Sequence, residues 1–549
     1  MTAPAELPAD LPADSSAAGH GQAKACQPSQ DRVEISIYVW AALLLSLCTA
    51  WHFFSLPYAI SGDTAMYLQT GQFLLEGKLP YRDFQDLNPP LIMYVCALPA
   101  IFARLTQLPL AICGIAFTTA LTMFALWLTY RISGFIYKEM DGQILAGELF
   151  APALLAPCLL NALASFDYGQ REHYFALFLL PFVLLRFYRY KSLSAKAPAA
   201  LSILIGLMLG LTLSFKPYFF LPPIVLELYW QLRHRRPVLL ISPECLACAL
   251  PVLIYLAHFA LLPSAVTDLY FHSIAPLLVH GYACFNMVKD VVVYLIFVWA
   301  LGSYFIALAL AGLVIRKDLR GPLLILISTS LALVELQQKF WTYHNIPLYL
   351  YVAFTIILAL ATIAKKWSVP LRSGLLITLT TLFCFGSYIF HESVQTHWAT
   401  PWEKSLAIWS KPGDKVMLLD SSDTPWFKSA LRFDLKPGSR YLWLFAIPML
   451  EFEIKNAKTI EESNSAKEQL SQLFINLNED FNSYHPDFIL VSRAKAFGMP
   501  EELDLLAYCK EHGLSKALDN YETLQPCGTF DLLMRKDLKV NRTSSQAKQ

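Results

Sequence analysis

Charged residues are scarce in this chain of 549 residues. Asp, Glu, Lys and Arg make up 15% of it, against about 25% in soluble proteins, while hydrophobic residues make up 56%. This scarcity excludes an ordinary soluble protein and favours an integral membrane protein. The net charge of +1 gives no indication of a nucleic-acid partner, and none is predicted.

The N-terminal part lacks further features. Residues 1–34 contain almost no bulky apolar side chain, so they cannot bury enough surface to offset the entropy of ordering, and we expect a disordered cytoplasmic tail. The first apolar run, at 35–58, has neither the basic region nor the cleavage site of a signal peptide. It predicts an uncleaved membrane anchor.

Apolar runs long enough to cross a bilayer, which takes roughly 17 to 25 residues in a helix, recur through residues 35–391. They lie at 35–58, 108–130, 144–164, 173–188, 199–215, 218–232, 238–262, 289–315, 321–336, 345–364 and 369–390. The sequence therefore predicts a polytopic α-helical membrane protein with about eleven transmembrane helices. The run at 90–105 is short and interrupted by prolines. Whether it spans the membrane or lies in the interface is decided by the charges of the surrounding loops.

Basic residues cluster in five short loops, which place that run. They are Arg131 and Lys138; Arg186, Arg189, Lys191 and Lys196; Arg233, Arg235 and Arg236; Arg316, Lys317 and Arg320; and Lys365, Lys366 and Arg372. All five loops are cytoplasmic only if residues 90–105 lie in the membrane interface, and the positive-inside rule favours that arrangement. The extracytoplasmic face then receives residues 59–107, 165–173, 216–217, 263–288, 337–345 and everything after 391.

The composition becomes that of a soluble protein from residue 392 onward. Short apolar runs at 415–419, 488–491 and 530–534 predict buried strands, and residues 461–477 predict a helix. We therefore expect a small extracytoplasmic α/β domain over residues 392–549. Cys509 and Cys527 would face an oxidising compartment and could form a disulfide there, but sequence separation does not test the geometry.

Four acids in the first loop are more than a plain connector needs. They are Asp63, Glu76, Asp83 and Asp86, all within residues 61–91. Asp63 precedes a helical pattern that ends at Gly77, so it is predicted to be a helix N-cap. A cap alone would explain Asp63 without any chemistry, and Asp86 fits a solvated loop acid equally well. The other interpretation is an active-site loop, in which one oxygen of Asp63 caps the helix and the other faces a substrate.

The same loop carries motifs that resemble a known family. Leu74 begins the pattern L-x-x-G-x-x-P-Y-x-D-F, and Asp86 begins the pattern D-x-N-P-P-L-I-x-Y. With Asp63 near the end of the first membrane helix, they resemble the GT-C superfamily of membrane glycosyltransferases, specifically the bacterial branch related to protein mannosyltransferases and lipid A aminoarabinose transferases. The rest of the chain matches only in outline. Asn88 departs from the family, whose members often carry His or Lys before the Pro-Pro pair.

The resemblance implies an enzyme of the bacterial inner membrane. It would transfer a hexose or pentose from a polyprenyl-phosphate donor to a glycan, lipid or protein acceptor on the extracytoplasmic face, using a GT-C-like catalytic domain over residues 35–391. Asp63 would be the catalytic base and Asp86 the second acid. Asp63, Asp86 and Asp167 also supply oxygen ligands that suit Mg²⁺ or Mn²⁺, although the sequence does not decide whether a metal is used.

Transfer to an acceptor hydroxyl or amine needs a base within hydrogen-bond reach, and the departing phosphate needs positive charge or a metal. Arg171, between Asp167 and Glu172, is either a phosphate ligand or part of an internal salt bridge. Lys216 precedes a proline at a helix break, and many relatives have a Lys-Pro pair at a comparable turn. It is either a phosphate ligand or a cation that snorkels to the interface.

The third cluster, Q-x-K-x-x-x-Y-H-x-x-P, begins at Gln337. It again resembles the bacterial branch, although an aromatic belt at the headgroup level would also explain its rings. The belt does not need Lys339 and His344. The predicted substrate-binding residues are therefore Asp167, Arg171, Glu172, Lys216, Lys339, Tyr343 and His344.

Two other classes of protein remain open at this point. A transporter or flippase of lipid-linked glycans would also place charges in the membrane, but it predicts internal symmetry and charges at mid-membrane depth. The chain has no repeat of fixed period, and its charges gather on one face. A sensor that binds a ligand through the C-terminal domain would leave the acidic first loop unexplained.

Overall fold

The computed structural model describes residues 20–546, apart from 141–145, 192–196, 287–290, 340, 396–399, 423–425, 494–497, 500–503 and 528–529. The described residues are mainly helical and form one small sheet. Up to residue 395 they form helices α1 (His20–Ser55), α2 (Gly62–Leu75), α3 (Leu91–Thr106), α4 (Leu110–Glu139), α5 (Ala146–Leu163), α6 (Arg171–Lys191), α7 (Ala199–Leu213), α8 (Leu221–His234), α9 (Pro243–His258), α10 (Ser264–Leu269), α11 (Ala275–His280), α12 (Val291–Leu313), α13 (Lys317–Gln337), α14 (Ile346–Ala364) and α15 (Val369–Gln395).

Within the described residues, five helical segments are long and apolar enough to cross a membrane. They are Asp31–Ser55, Leu110–Glu139, Pro243–Leu261, Lys317–Gln337 and Thr342–Ala364. Only 11% of an apolar stretch of 18 residues in Pro243–Leu261 is buried within the protein, so the exposed surface of this helix suits contact with lipid. These segments indicate an integral membrane protein.

The predicted count of about eleven spans is not confirmed. Four further apolar helical segments are shorter, at Leu91–Thr106, Gly147–Ala162, Ala199–Leu213 and Val298–Leu313. Helix breaks explain part of the difference. The apolar run predicted at 218–232 divides into a 3-10 turn, Pro217–Phe220, and α8 of 14 residues, which is short of the roughly 20 residues that a span requires.

Residues 20–34 of the predicted tail belong to α1, which begins at His20. Glu34 is buried in this helix, where its Oε1 accepts a hydrogen bond from Tyr38 Oη at 2.9 Å and forms an ion pair with Arg372 Nη1 at 2.9 Å. Composition alone could not reveal this partner on α15, which lies far along the chain. Residues 1–19 of the predicted tail lie outside the described residues.

The C-terminal part forms a five-stranded sheet with the strand order β2-β1-β3-β5-β4. The strands are β1 (Lys415–Leu419), β2 (Lys436–Pro437), β3 (Phe488–Ser492), β4 (Tyr521–Cys527) and β5 (Phe530–Arg535). Strands β2, β1 and β3 are parallel, whereas β5 and β4 are antiparallel to their neighbours. The helices are α16 (Pro401–Trp409), α17 (Trp426–Phe433), α18 (Ala446–Asn456), α19 (Ile460–Tyr484), α20 (Leu505–Cys509), α21 (Ser515–Leu518) and α22 (Lys536–Gln546).

The three predicted strands and the predicted helix in this part are present, as β1, β3, β5 and α19. The bounds of β1 match the prediction, β3 and β5 are each one residue longer, and α19 begins one residue earlier and ends seven residues later than predicted. The suggested disulfide is not formed, because Cys509 is a free thiol. Cys509 is fully buried at the end of α20, in the hydrophobic core of the C-terminal part.

The first loop, residues 59–107, packs against both the helical part and the C-terminal part. Helix α2 meets α3 so closely that a Cβ at Gly71 would lie 2.4 Å from the Cys96 carbonyl carbon. On the other side, Gln85 N donates to Arg440 O at 2.7 Å, and Tyr484 Oη donates to Asp83 O at 3.4 Å. This packing fixes the position of the acidic loop relative to the helix ends around it.

Candidate active site

A cavity of about 900 Å³ lies beside the first loop, and we call it the central cavity. Its size is at the upper end of the range for small-molecule sites, roughly 300–1,000 Å³. Seven of the nine predicted site residues line it, namely Asp63, Asp167, Arg171, Lys216, Lys339, Tyr343 and His344. Asp86 and Glu172 are not on its wall.

Asp63 is not the helix N-cap, contrary to the prediction. Ser61 caps α2, because its side chain accepts a hydrogen bond from Thr64 N, and Asp63 lies in the first helical turn. The only hydrogen bond to the Asp63 carboxylate from described residues comes from Gln170 Nε2, at 3.2 Å to Oδ2. The carboxylate is therefore not used as a cap and faces the central cavity.

Asp86 is neither a solvated loop acid nor a cavity residue. It is completely buried, and its Oδ1 accepts hydrogen bonds from Leu87 N at 2.7 Å and Asn88 Nδ2 at 3.1 Å. Burial raises the pKa of Asp86 to about 6, against the opposing hydrogen bond from Asn88. Because Asp86 lies behind Leu87 and Asn88 in the cavity wall, its contact with the reacting groups would be indirect.

Asp167 joins two helix breaks at the edge of the central cavity. It ends the 3-10 turn Ser165–Asp167, and its Oδ2 accepts a hydrogen bond from Thr342 Oγ1 in the turn before α14. Burial raises the pKa of Asp167 to about 7, and the nearby charges of Asp63 and Glu172 act in the same direction. Asp167 therefore keeps its proton as the pH rises to about neutral.

Arg171 is a buried cation that forms no direct ion pair in the described part of the chain, although Glu172 and Asp63 lie near enough to interact with its charge. It is 5% exposed, and its Nε has no hydrogen-bond partner. Its guanidinium carbon lies 5.2 Å from the centre of the Tyr67 ring, a cation–π contact. The internal salt bridge that the sequence left open for Arg171 is thus absent from the described residues, although Asp167 and Glu172 flank it in sequence.

Lys216 is already paired, which weakens its predicted role. Its Nζ lies 2.5 Å from Glu172 Oε1 and donates to Gln337 Oε1 at 3.3 Å. Lys216 is buried, so it does not snorkel into water, and burial lowers its pKa to about 8 despite the raising effect of Glu172. Glu172 Oε2 is buried without a partner, so the pair has one unused acceptor.

Lys339 has no carboxylate partner among the described residues. Its Nζ donates to Asn286 Oδ1 and lies 4.4 Å from the centre of the Tyr282 ring. Burial lowers the pKa of Lys339 to about 8, so the charge is present at neutral pH and is lost as the pH rises through that value.

Tyr343 and His344 are buried, unlike the lipid-facing side chains of an aromatic belt. Their ring centres are 4.6 Å apart, and Lys216 Nζ lies 5.3 Å from the centre of the Tyr343 ring. His344 Nδ1 is buried without a hydrogen-bond partner. Unpaired buried polar atoms are rare in proteins, and several of them surround this cavity.

The predicted three-carboxylate metal site is not assembled. Nowhere in the described ranges do three or more His, Cys, Asp or Glu side chains lie close enough together to hold a metal ion. Asp63 and Asp167 line the cavity, but Asp86 is behind its wall with both oxygens bonded to Asn88. The described residues therefore do not fit a metal ion that is held by the three carboxylates the sequence suggested.

The cavity also contains residues that the sequence did not single out. Gln170 bonds to Asp63, Asn286 bonds to Lys339, and Thr342 bonds to Asp167. Trp443 comes from the C-terminal part. Gln170 could have been noticed, because it precedes Arg171 within a predicted cluster. Thr342 could have been noticed in the same way, because it precedes Tyr343 within the cluster that begins at Gln337, whereas Asn286 and Trp443 carry no pattern in sequence that marks them.

No family model matches the chain, and no curated protein matches it. Solved structures of an archaeal oligosaccharyltransferase from Archaeoglobus fulgidus are similar to it. One with a tethered acceptor peptide has a TM-score of 0.45 and 11% identity, covering 90% of this chain and 73% of that one. Another, with an inhibitory peptide and a dolichol-phosphate, has a TM-score of 0.42 and 12% identity, covering 91% and 74%. Likeness at this level decides neither the family nor the bacterial branch that the motifs resemble.

Proposed function

We propose that the protein is a membrane glycosyltransferase that moves a sugar from a polyprenyl-phosphate donor to a glycan, lipid or protein acceptor. The observation that carries the proposal is one cavity lined by a carboxylate, Asp63, and by two cations without carboxylate partners in the described residues, Arg171 and Lys339. A base and a phosphate-binding pair are the two components that this transfer needs.

The depth of the cavity supports a lipid-linked phosphate as the ligand. Lys339 lies between two segments that are apolar enough to span a membrane, Lys317–Gln337 and Thr342–Ala364. Lys216 follows the apolar helix α7 in the same way. Both cations therefore lie where apolar helices end, which is the level of a lipid headgroup when its chain remains in the bilayer.

Charge distribution along α6 supports the proposed extracytoplasmic side. Arg171 begins this helix, and Arg189 lies in its last turn. Eighteen residues of helix separate them by about 27 Å, close to the thickness of a bilayer core, about 30 Å, although α6 is not one of the five segments that are apolar enough to span by themselves. The basic residues of the last turn belong to the predicted cytoplasmic loops, so Arg171 and the cavity belong to the opposite face.

The reaction follows from these positions. An acceptor O–H or N–H gives its proton to the Asp63 carboxylate while its oxygen or nitrogen bonds to the anomeric carbon. The bond between that carbon and the phosphate oxygen breaks, and its electron pair leaves on polyprenyl phosphate. Arg171 and Lys339 hold the charge that develops on the phosphate oxygens. Lys216, which is paired with Glu172, contributes less to this step than Arg171 does.

The test is release of free polyprenyl phosphate by the full-length protein in detergent. The probes are undecaprenyl phosphates carrying a labelled hexose or pentose, each offered with a mixture of glycan, lipid and peptide acceptors, in Mg²⁺, Mn²⁺ and EDTA. Release together with labelled product supports the proposal. Release from none of the donors overturns it, and movement of the intact donor across a proteoliposome membrane would then favour the flippase.

A further inference from the structure

Gln170 is a completely buried side chain at the junction of two parts of the site. It immediately precedes α6, which begins at Arg171, and it lines the central cavity. Its Nε2 donates to Ser61 Oγ at 2.8 Å and to Asp63 Oδ2 at 3.2 Å. The Gln170 amide thus connects the start of α2, which carries the proposed base Asp63, with the start of α6, which carries Arg171.

The contacts fix which way this amide points. An ionised carboxylate can only accept hydrogen bonds, so the amide nitrogen must face Asp63. The same nitrogen donates to Ser61 Oγ, whose own hydrogen is directed to Thr64 Oγ1 at 2.9 Å. The carbonyl oxygen of Gln170 therefore points the other way, and it is buried with no hydrogen-bond partner.

The backbone holds Gln170 in this place. Ser61 N donates to Phe166 O at 2.7 Å, which ties the start of α2 to the turn before Gln170. Gly169 adopts a φ of +90°, which favours glycine, and it reverses the chain just before Gln170. The position of the unpaired Gln170 Oε1 relative to the Asp63 carboxylate is thus set before any substrate binds.

A buried carbonyl without a partner is costly, because it has lost water and gained nothing in exchange. Because Gln170 lines the central cavity beside the proposed base, a substrate O–H is a donor that suits this oxygen. A hydroxyl acceptor gives its one proton to Asp63, so the hydroxyls of the donor sugar are the remaining donors close to the reaction. The hydroxyl next to the reacting anomeric carbon is the closest one, and hydrogen bonds to it strengthen as positive charge develops in the transition state.

We propose that Gln170 has two roles, both resting on the function proposed above: its Nε2 positions the Asp63 carboxylate, and its Oε1 accepts a hydrogen bond from the 2-hydroxyl of the donor sugar. Gln170 is then a residue that recognises the donor. Sugars without a hydrogen-bond donor at carbon 2 are poorer substrates for this enzyme.

The test crosses a change in the enzyme with a change in the sugar. Gln170→Met keeps the length of the side chain and removes the amide. The donors are the undecaprenyl-phosphate hexose or pentose that supports release and its 2-deoxy form. We expect wild type to prefer the 2-hydroxy donor in kcat/KM, and Gln170→Met to lose roughly 10- to 100-fold of that preference. The intrinsic reactivity of the 2-deoxy sugar is the same in both enzymes and cancels from the comparison.

Gln170→Glu is the matched control, since it keeps an oxygen that accepts the sugar hydroxyl. We expect it to retain most of the preference although its overall rate falls, a result that a purely structural role does not produce. If Gln170→Met does not fold, judged by its thermal unfolding, Gln170→Leu replaces it. An unchanged preference in a folded apolar variant overturns the inference while release by wild type leaves the proposed function standing; no release by wild type overturns the function itself.

Discussion

Buried arginines lie at both ends of α6, and the two groups differ in whether the arginines form ion pairs. Near the end of the helix, Arg186 is completely buried and donates to Glu227 Oε1 at 2.7 Å and to Glu244 Oε1 at 2.8 Å. Arg189 shares Glu244, with 3.1 Å between Nη2 and Oε2. At the start of the helix, Arg171 is almost as buried but has no carboxylate partner among the described residues.

The difference indicates what each group is for. A buried ion pair whose members are all bonded connects helices, here α6, α8 and α9, and has nothing left to bind a ligand. A buried cation whose N–H groups contact no carboxylate directly can bind an anion that arrives from outside the chain. The first group therefore stabilises the fold, and the second is the place for a phosphate.

Matched replacements of the two arginines give the largest expected effect on stability. Arg186→Met leaves Glu227 without its cation and Glu244 with Arg189 alone, so we expect a loss of about 3–5 kcal/mol. Arg171→Met breaks no direct ion pair among the described residues, so we expect its stability to stay within about 1 kcal/mol of wild type. Unfolding in detergent measures both. Equal losses at the two positions would contradict the comparison.

The same Arg171→Met variant also tests whether Arg171 binds the lipid phosphate. We expect its affinity for undecaprenyl phosphate to fall by roughly 10- to 100-fold, because a charge-assisted hydrogen bond to phosphate is lost. Arg171→Lys should recover part of the loss, since lysine keeps the charge without the planar fork. Binding is measured by titration in detergent, and wild-type affinity in the methionine variant would mean that the lipid phosphate binds elsewhere.

Lys339 should make the affinity for the lipid phosphate depend on pH. Burial lowers its pKa to about 8, so its charge is present below that value and is lost as the pH rises through it. We expect the affinity for undecaprenyl phosphate to weaken several-fold above about pH 8 in wild type and to weaken less in Lys339→Arg, because arginine stays protonated. Parallel pH profiles for the two proteins would remove Lys339 from the phosphate site.

Asp86 should give the smallest effect. Its pKa is raised from 3.8 to about 6 by burial, so it favours the folded state at low pH and loses that contribution as the pH rises through about 6. Asp86→Asn keeps the acceptor for Leu87 N and should flatten this part of the stability profile, with turnover changed by less than roughly 10-fold. A loss as large as that of a missing base would return Asp86 to the reacting groups.

Local patterns made much of the fold predictable from the sequence. The buried strands β1, β3 and β5 were visible as short apolar runs, and α19 as an amphipathic stretch. The cations that line the cavity were visible because lysine and arginine are rare at such depth. Each of these signals lies within a few consecutive residues.

What the sequence missed depends on contacts between distant segments. Lys216 meets Glu172 from another helix, and Asp86 is enclosed although it sits in a polar loop. The cap of α2 was assigned to Asp63 because Ser61 and Asp63 are both good caps two residues apart, and only the backbone geometry separates them. The predicted number of spans is not confirmed, in part because helix breaks are not visible in composition.

The most direct measurement is a single turnover with Asp63→Asn and the labelled donor that wild type uses. Asparagine has nearly the same shape and cannot take the proton, so we expect the variant to bind the donor as tightly as wild type does. We also expect it to release undecaprenyl phosphate on the order of 10²- to 10⁴-fold more slowly. Release at the wild-type rate, with donor and acceptor both bound, would contradict the assignment of Asp63 as the base.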